Sequence, residues 1–152
     1  MKWKQHYDIP FMLFHLSEDN HDGETFIPKP MNKERVMEGE NWQTKRICVS
    51  KTIDGAVSAL MDSVSMAYGT KLYVHEIANI GELFKKDKVY KPTTKQVPDC
   101  ETTDEYWLKD KAVLKCIGAI EVGHITDHPL YYIWDGVETR MDRFMWKWIE
   151  KR

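Results

Sequence analysis

The sequence is poor in cysteine and has no long apolar run. Its three cysteines, Cys48, Cys100 and Cys116, are odd in number and have no paired spacing, so they predict neither a disulfide framework nor a zinc knuckle. No segment approaches the roughly 20 apolar residues that a membrane-spanning helix needs, and no apolar core follows the lysines at the N-terminus. We therefore expect free thiols, no metal site, no membrane partner and a cytoplasmic location.

An excess of basic residues is also missing. The 22 lysines and arginines are balanced by 24 aspartates and glutamates, which gives a net charge of −2 and a pI near 6.3. Proteins that bind a phosphate backbone need surplus positive charge, so the composition gives no strong nucleic-acid signal. The lysine-rich segment 85–95 predicts a solvated face, and the alternative is a cleft wall that faces phosphate. The length and the 42% hydrophobic content place residues 1–152 in one domain.

The chain is organised around residues 45–60, KRICVSKTIDGAVSAL, where the hydrophobic period changes. Alternation over residues 47–49 predicts a strand, whereas the apolar residues between 53 and 64 recur at the spacing of a helix face. Ser50 or Thr52 is the predicted N-cap. These hydroxyls either cap the helix only or also hold a polar or anionic ligand, because a helix start presents free amide groups.

The other elements follow from local patterns in the sequence. Apolar runs or alternation predict strands at residues 9–16, 71–77, 106–108, 112–122 and 130–134, and a short extended piece in a hairpin-like excursion at 25–27. We also predict a loop with a functional role at 31–44, the end of the central helix near Gly69, a helical turn at 80–84, and a kink or bulge at Gly118. A C-terminal helix capped by Asp135 would carry a core-facing stripe of Val137, Met141, Phe144, Met145 and Trp148.

Strands outnumber helices in this order, and the links between the late strands are short. Short links favour antiparallel pairing. We therefore predict the α+β class, as a single domain with a curved, mostly antiparallel sheet, a central helix and a C-terminal helix.

Three motifs, taken together with their order and spacing, resemble a known family. The run LFHLS at 13–17 is similar to the strand that opens the ADP-ribosyltransferase-like fold. The run RICVSKTIDGAVSAL at 46–60 resembles the second signature of that fold, a strand ending in Ser or Thr before an alanine-rich helix, as in the rifampicin-modifying ADP-ribosyltransferases and the RNA phosphotransferase branch. Segments 71–77 and 105–122 resemble the strands that follow. The chain also resembles small uncharacterised bacterial and phage proteins that share the HLS, RIC-S and EYW elements.

The resemblance implies a set of site residues. His15 matches the histidine that grips the NAD ribose and the nicotinamide amide. The implied ligand-binding residues are His15, Ser17, Arg46, Ser50, Thr52 and Tyr73, and the implied catalytic residues, if the protein is an enzyme, are His15 and Glu105. The chain departs from the family pattern at Cys48, which stands where the family stacks a tyrosine on nicotinamide. The acidic position is open between Glu76, Glu82 and Glu105.

From this resemblance we expect a protein that binds an NAD-derived, ADP-ribose-type nucleotide around His15 and the start of the central helix, with no further cofactor. Holding a nucleotide requires only a histidine, hydroxyls and an arginine, whereas cleavage of the glycosidic bond also needs a well-placed carboxylate. The leading expectation is a phage-type counter-defence protein that sequesters a host nucleotide immune signal. The alternatives are an ADP-ribosyltransferase or related NAD-using transferase, and a protein-interaction module on the same fold.

Overall fold

The computed structural model of the protein describes residues 10–34, 36, 39–63 and 68–152. Within these ranges it has ten strands and two helices. The strands are β1 (Phe14–Ser17), β2 (Thr25–Phe26), β3 (Ile47–Ser50), β4 (Lys71–Ile77), β5 (Val89–Tyr90), β6 (Glu105–Leu108), β7 (Ala112–Ile125), β8 (Leu130–Trp134), β9 (Val137–Met141) and β10 (Phe144–Lys151). The helices are α1 (Ile53–Ser63) and α2 (Ile80–Lys85).

Eight of the strands form one sheet. Seven of them follow the order β10-β7-β4-β1-β3-β6-β5, and β2 pairs with the beginning of β7. β8 and β9 form a separate two-stranded sheet. Every pairing between described strands is antiparallel. The structure therefore confirms a single α+β domain with a mostly antiparallel sheet.

The change of hydrophobic period in residues 45–60 produces the strand and the helix that it predicts. β3 leads into α1 through a short turn. Thr52 is the N-cap of α1, because its Oγ1 accepts the backbone N–H of Gly55 at 3.0 Å. The predicted end of the helix near Gly69 follows residues 64–67, which lie outside the described residues.

The structure also confirms the strands predicted at 71–77, 106–108, 112–122 and 130–134 and the helical turn at 80–84, with small differences at their ends. Gly118 has a φ of +147°, and the register between β4 and β7 shifts beside it, so the predicted bulge is present. The predicted strand 9–16 begins outside the described residues; residues 10–13 are described and do not form a strand, and the strand that the structure has there is β1. The extended piece at 25–27 is β2, which pairs with β7 and does not form a hairpin with β1.

The predicted C-terminal helix is wrong. Asp135 and Gly136 have positive φ values of 51° and 76°, the backbone of a tight hairpin turn, and they join β8 to β9. The chain then continues as β10, which pairs with β7. Along β10 the tryptophans of residues 144–151 pack on the core, whereas Met145 is 60% exposed. The predicted stripe is therefore divided between two strands, with Val137 and Met141 on β9 and Phe144, Met145 and Trp148 on β10.

The two helices cover separate cores. The core under α1 is formed by buried residues of β1, β4, β7 and the helix itself, namely Leu16, Val57, Leu72, Val74, Ile120 and Val122. The core under α2 includes Leu13, Ile47, Val49, Ile77, Leu83, Leu108 and Leu114. A third, smaller cluster joins Val97, Cys100 and Trp107. α1 is also tied to the C-terminal strand, because Asp54 accepts hydrogen bonds from Arg143 and Trp146, both at 2.6 Å.

Candidate functional site

A cavity of about 590 Å³ opens between β1, β3 and α1. Residues 14–16 of β1 and 48–50 of β3 form its strand side. Ala56, Ala59 and Leu60 form its helix side. The two alanines present little side-chain volume, so the alanine-rich face of α1 leaves room above the strands. A cavity of this size is typical of small-molecule sites.

The cavity lies where the sheet separates. β1 pairs with β3 at one described position, where Phe14 lies opposite Ser50. In contrast, β1 pairs with β4 at four positions, and β3 pairs with β6 at four. The two strands therefore diverge beyond the Phe14–Ser50 pair, and side chains from both can reach the space between them.

The structure brings some of the sequence-predicted site residues together and leaves others apart. His15, Ser50 and Glu105, from three different strands, line the cavity. The remaining predicted residues are not among those that line it; they are Ser17, Arg46, Thr52 and Tyr73.

The imidazole of His15 is neutral at neutral pH. Burial is the main cause that lowers the pKa of His15 from 6.5 to about 4, and the neighbouring His75 and His21 lower it further, while contact with the Cys48 backbone partly opposes them. The ring packs edge-on against Phe26, with centroids 5.1 Å apart. At neutral pH this side chain has one donor and one acceptor nitrogen. It carries no positive charge that could bind a phosphate.

Glu105 is the first residue of β6, and a hydrogen bond from a tryptophan of the same strand holds its side chain in place. Its Oε2 accepts the Nε1–H of Trp107 at 2.6 Å. Burial raises the pKa of the Glu105 carboxyl, although this hydrogen bond and the charges of Arg46 and Lys91 oppose the rise. A fixed, partly desolvated carboxyl can accept a hydrogen bond from a ligand or stabilise positive charge on it.

The hydroxyls at the start of α1 are used by the protein itself. The Ser50 hydroxyl oxygen lies 2.7 Å from the Thr103 carbonyl and 2.8 Å from the Thr52 carbonyl, which share its one proton, and it accepts the N–H of Thr52. The Thr52 hydroxyl donates to Asp104 at 2.7 Å and accepts the N–H of Gly55. Each hydroxyl has one proton, so neither can donate to a ligand without losing an internal bond. The hydroxyls were predicted either to cap the helix only or also to hold a ligand, and these contacts match capping.

Arg46 is buried beside the cavity lining. Its guanidinium carbon lies 4.0 Å from the centroid of the Trp107 ring, and its Nη2 donates to the Asn41 carbonyl at 2.7 Å and to Glu40 at 3.2 Å. These contacts attach the loop that precedes β3 to the sheet. The predicted contact between Arg46 and a ligand stays a prediction.

Ser17 and Tyr73 lie opposite each other in the β1–β4 pairing. The Ser17 hydroxyl lies 3.1 Å from Nε2 of His21, and the ammonium of Lys71 lies 4.7 Å from the centre of the Tyr73 ring. Neither residue meets His15, Ser50 and Glu105 in the cavity. Their predicted ligand contacts also stay predictions.

Sequence reasoning missed several residues that line the cavity. The loop predicted at 31–44 supplies Met31, Glu34, Val36 and Glu40, and the segment before β6 supplies Asp99 and Thr103. Cys48, which the sequence analysis named only as a departure from the family pattern, also lines it, and burial raises the pKa of this thiol to about 12, so it is not a nucleophile at neutral pH. The alternation of β3 could have placed Cys48 on the face of Ser50. No local pattern indicated the acidic residues.

The polar lining consists mainly of hydrogen-bond acceptors. Four carboxylates belong to it, those of Glu34, Glu40, Asp99 and Glu105, and Glu40 is paired with Arg46. Among the residues that the structure describes, no lysine or arginine side chain lines the cavity. A ligand that supplies hydrogen-bond donors or positive charge fits this lining better than a phosphate does.

Comparisons with known proteins add no family to this picture. No protein-family model matches the chain, and neither a curated protein nor a solved structure matches it. Within the described ranges, no group of three or more His, Cys, Asp or Glu side chains is placed to hold a metal ion, and none of the helices there is long and apolar enough to cross a membrane.

Proposed function

We propose that the protein binds an NAD-derived nucleotide of the ADP-ribose type in the cavity between β1, β3 and α1, and that it holds the nucleotide without consuming it. The observation that carries this proposal is the convergence of His15, Ser50 and Glu105. These residues are far apart in the sequence, belong to the three motifs that resemble the ADP-ribosyltransferase-like fold, and line one cavity.

The chemistry of the lining favours one orientation of the ligand. The ribosyl end of such a nucleotide carries hydroxyl donors, and a nicotinamide carries amide donors. Both match the acceptor groups of His15 and Glu105. The pyrophosphate is anionic, and the carboxylates of the lining would repel it. The ribosyl end therefore enters the cavity, and the pyrophosphate remains at its mouth.

Two features favour holding over turnover. The position at which the resembling family stacks a tyrosine on nicotinamide is Cys48, which has no ring to stack. The hydroxyl of Ser50 is used by the turn before α1. In a phage setting, the same binding without turnover would sequester a host immune signal built from ADP-ribose.

A transferase is the second candidate, because Glu105 lies in the cavity with His15. A carboxylate at this place can stabilise the oxocarbenium ion that forms when nicotinamide leaves. A protein-interaction module on the same fold is the remaining alternative, and it predicts no nucleotide binding.

The His15→Ala variant should fold normally and bind ADP-ribose or NAD up to about tenfold more weakly than the wild type, because one neutral hydrogen bond to the ligand is lost. Isothermal titration calorimetry measures both affinities. The exposed His128→Ala is the matched control and should bind as the wild type does. Equal affinity in the wild type and His15→Ala would place the nucleotide site elsewhere.

Glu105→Gln separates sequestration from catalysis. Under sequestration, the wild type should release any bound nucleotide intact on heating and should produce no nicotinamide from NAD, and the variant should bind as well or slightly more tightly because one negative charge is gone. Mass spectrometry of the released small molecules gives the readout. Nicotinamide release by the wild type that falls roughly a hundredfold or more in Glu105→Gln would establish the transferase instead.

A further inference from the structure

The segment between β1 and β2 is attached to the sheet by the buried side chain of His75. This residue lies on β4 opposite His15 and is inaccessible to solvent. Its Nε2 accepts the backbone N–H of His21 at 2.9 Å, and its Nδ1 donates to the carbonyl oxygen of His15 at 3.1 Å. An imidazole that accepts at one nitrogen and donates at the other is neutral. The two partners therefore select the tautomer with the proton on Nδ1.

The same segment is attached to β7 at a second place. Asp22 Oδ1 accepts the backbone N–H of Cys116 at 2.8 Å, and the N–H of Gly23 donates to the carbonyl of Leu114 at 2.8 Å. Residues 18–24 are thus attached to β4 through His75 and to β7 through Asp22 and Gly23, and the His21 ring also contacts the Ser17 hydroxyl on β1. The attachments to β4 and β1 each depend on a histidine side chain, and the attachment to β7 does not.

We propose that His75 is an acid-sensitive latch: when its Nε2 takes up a proton, residues 18–24 detach from β4 and the packing behind His15 loosens. A protonated Nε2 would point an N–H at the N–H of His21, so two donors would face each other and the bond would be lost. The ring of His21 lies 6.3 Å and that of Phe26 5.1 Å from the ring of His15, centre to centre. The latch therefore supports a residue that lines the cavity, and it acts whatever molecule the cavity binds.

The groups that face His75 come from three elements. His15 lies beside it on β1, and His21, Asp22 and Glu24 belong to the attached segment. Cys116 lies opposite it on β7. Burial and the neighbouring His21 lower the pKa of His75 below 6.5, while the bond to the His15 backbone and the two carboxylates oppose this.

The net lowering of the His75 pKa in the folded protein determines the direction of the pH dependence. Because the pKa of His75 is lower in the folded protein than its usual 6.5, the unfolded and opened states bind the proton more readily. The closed latch therefore has its full stability above pH 6.5 and loses it progressively as the pH falls from that value through the lower pKa of the folded protein.

The test combines NMR with hydrogen exchange on the full chain. At about pH 7.5 the imidazole nitrogens of His75 should show the neutral tautomer with the proton on Nδ1. On acidification to about pH 5, the amides of residue 21 should lose roughly tenfold protection, after correction for the intrinsic exchange rate, because one hydrogen bond is lost. The amide of Val74, inside β4, should keep its protection.

Two variants show whether His75 is responsible. In His75→Gln, an amide oxygen can still accept the N–H of residue 21 and does not titrate, so the acid-induced loss should disappear. In His21→Gln the backbone N–H is retained, so the loss should persist. The proposal is overturned if His75→Gln loses protection at the same pH as the wild type. If His75→Gln does not fold, a charged or Nε2-protonated His75 in the wild type at about pH 7.5 overturns it as well.

Discussion

Trp107→Ala is expected to lower the free energy of unfolding by about 3–5 kcal/mol, the range for truncating a fully buried tryptophan. The side chain has no exposed surface, and three groups depend on it. The Arg46 guanidinium lies over one face of its ring at 4.0 Å, the Tyr90 ring lies 5.5 Å away, and Glu105 accepts its N–H. Chemical denaturation followed by circular dichroism measures the loss.

Two variants control this experiment. Trp134→Ala removes the same side chain from the exposed β8–β9 hairpin and should cost far less. Trp107→Phe retains a ring for Arg46 but removes the donor to Glu105, so it should be milder than Trp107→Ala and should raise the pKa of the Glu105 carboxyl further. Equal stability of Trp107→Ala and Trp134→Ala would contradict the packing described for β6.

Gly55→Ala should destabilise the protein by about 1–3 kcal/mol, the range for overpacking a filled space. In an ordinary helix the same change stabilises by roughly 0.5–1 kcal/mol. The sign is reversed because a Cβ at this position would overlap the carbonyl group of Thr103. That carbonyl accepts the Ser50 hydroxyl, so the variant should also disturb the turn before α1.

Gly123→Ala is the matched control. A Cβ there would have its closest contact at 3.4 Å, with Met145, so the change in the free energy of unfolding should be small. Thermal denaturation of both variants gives the comparison. A more stable Gly55→Ala protein would mean that α1 and the Thr103 segment are farther apart than the structure places them.

The elements that were predicted correctly are those whose hydrophobic spacing fits only one type of secondary structure. The alternation of β4 and the switch from β3 to α1 each fit one type of element. The C-terminal helix failed because Val137, Met141, Phe144 and Trp148 recur at helical spacing by coincidence, whereas the Asp135–Gly136 pair was the stronger signal for a hairpin. A prediction that weighted this turn pair above the spacing would have given β9 and β10.

The site was predictable only where a motif supplied a residue. His15, Ser50 and Glu105 were selected from the three motifs and share the cavity. Their partners come from packing between segments distant in sequence, which no local pattern reports. The stacking of Arg46 on Trp107 joins β3 to β6, and the bonds of Ser50 to the Thr103 segment span 53 positions. Arg46, which was predicted to bind a ligand through its charge, is therefore buried in the interior.

The single pairing position between β1 and β3 has a mechanical consequence. It leaves the strands β10, β7, β4 and β1 as one plate and β3, β6 and β5 as another, with few backbone hydrogen bonds across the seam. Rotation of one plate against the other breaks little of either ladder, but it shears the core under α2, where Ile77 and Leu114 of one plate pack with Val49 and Leu108 of the other. A molecule that touches both plates would act as a brace, and the protein should become stiffer and melt at a higher temperature when it is bound.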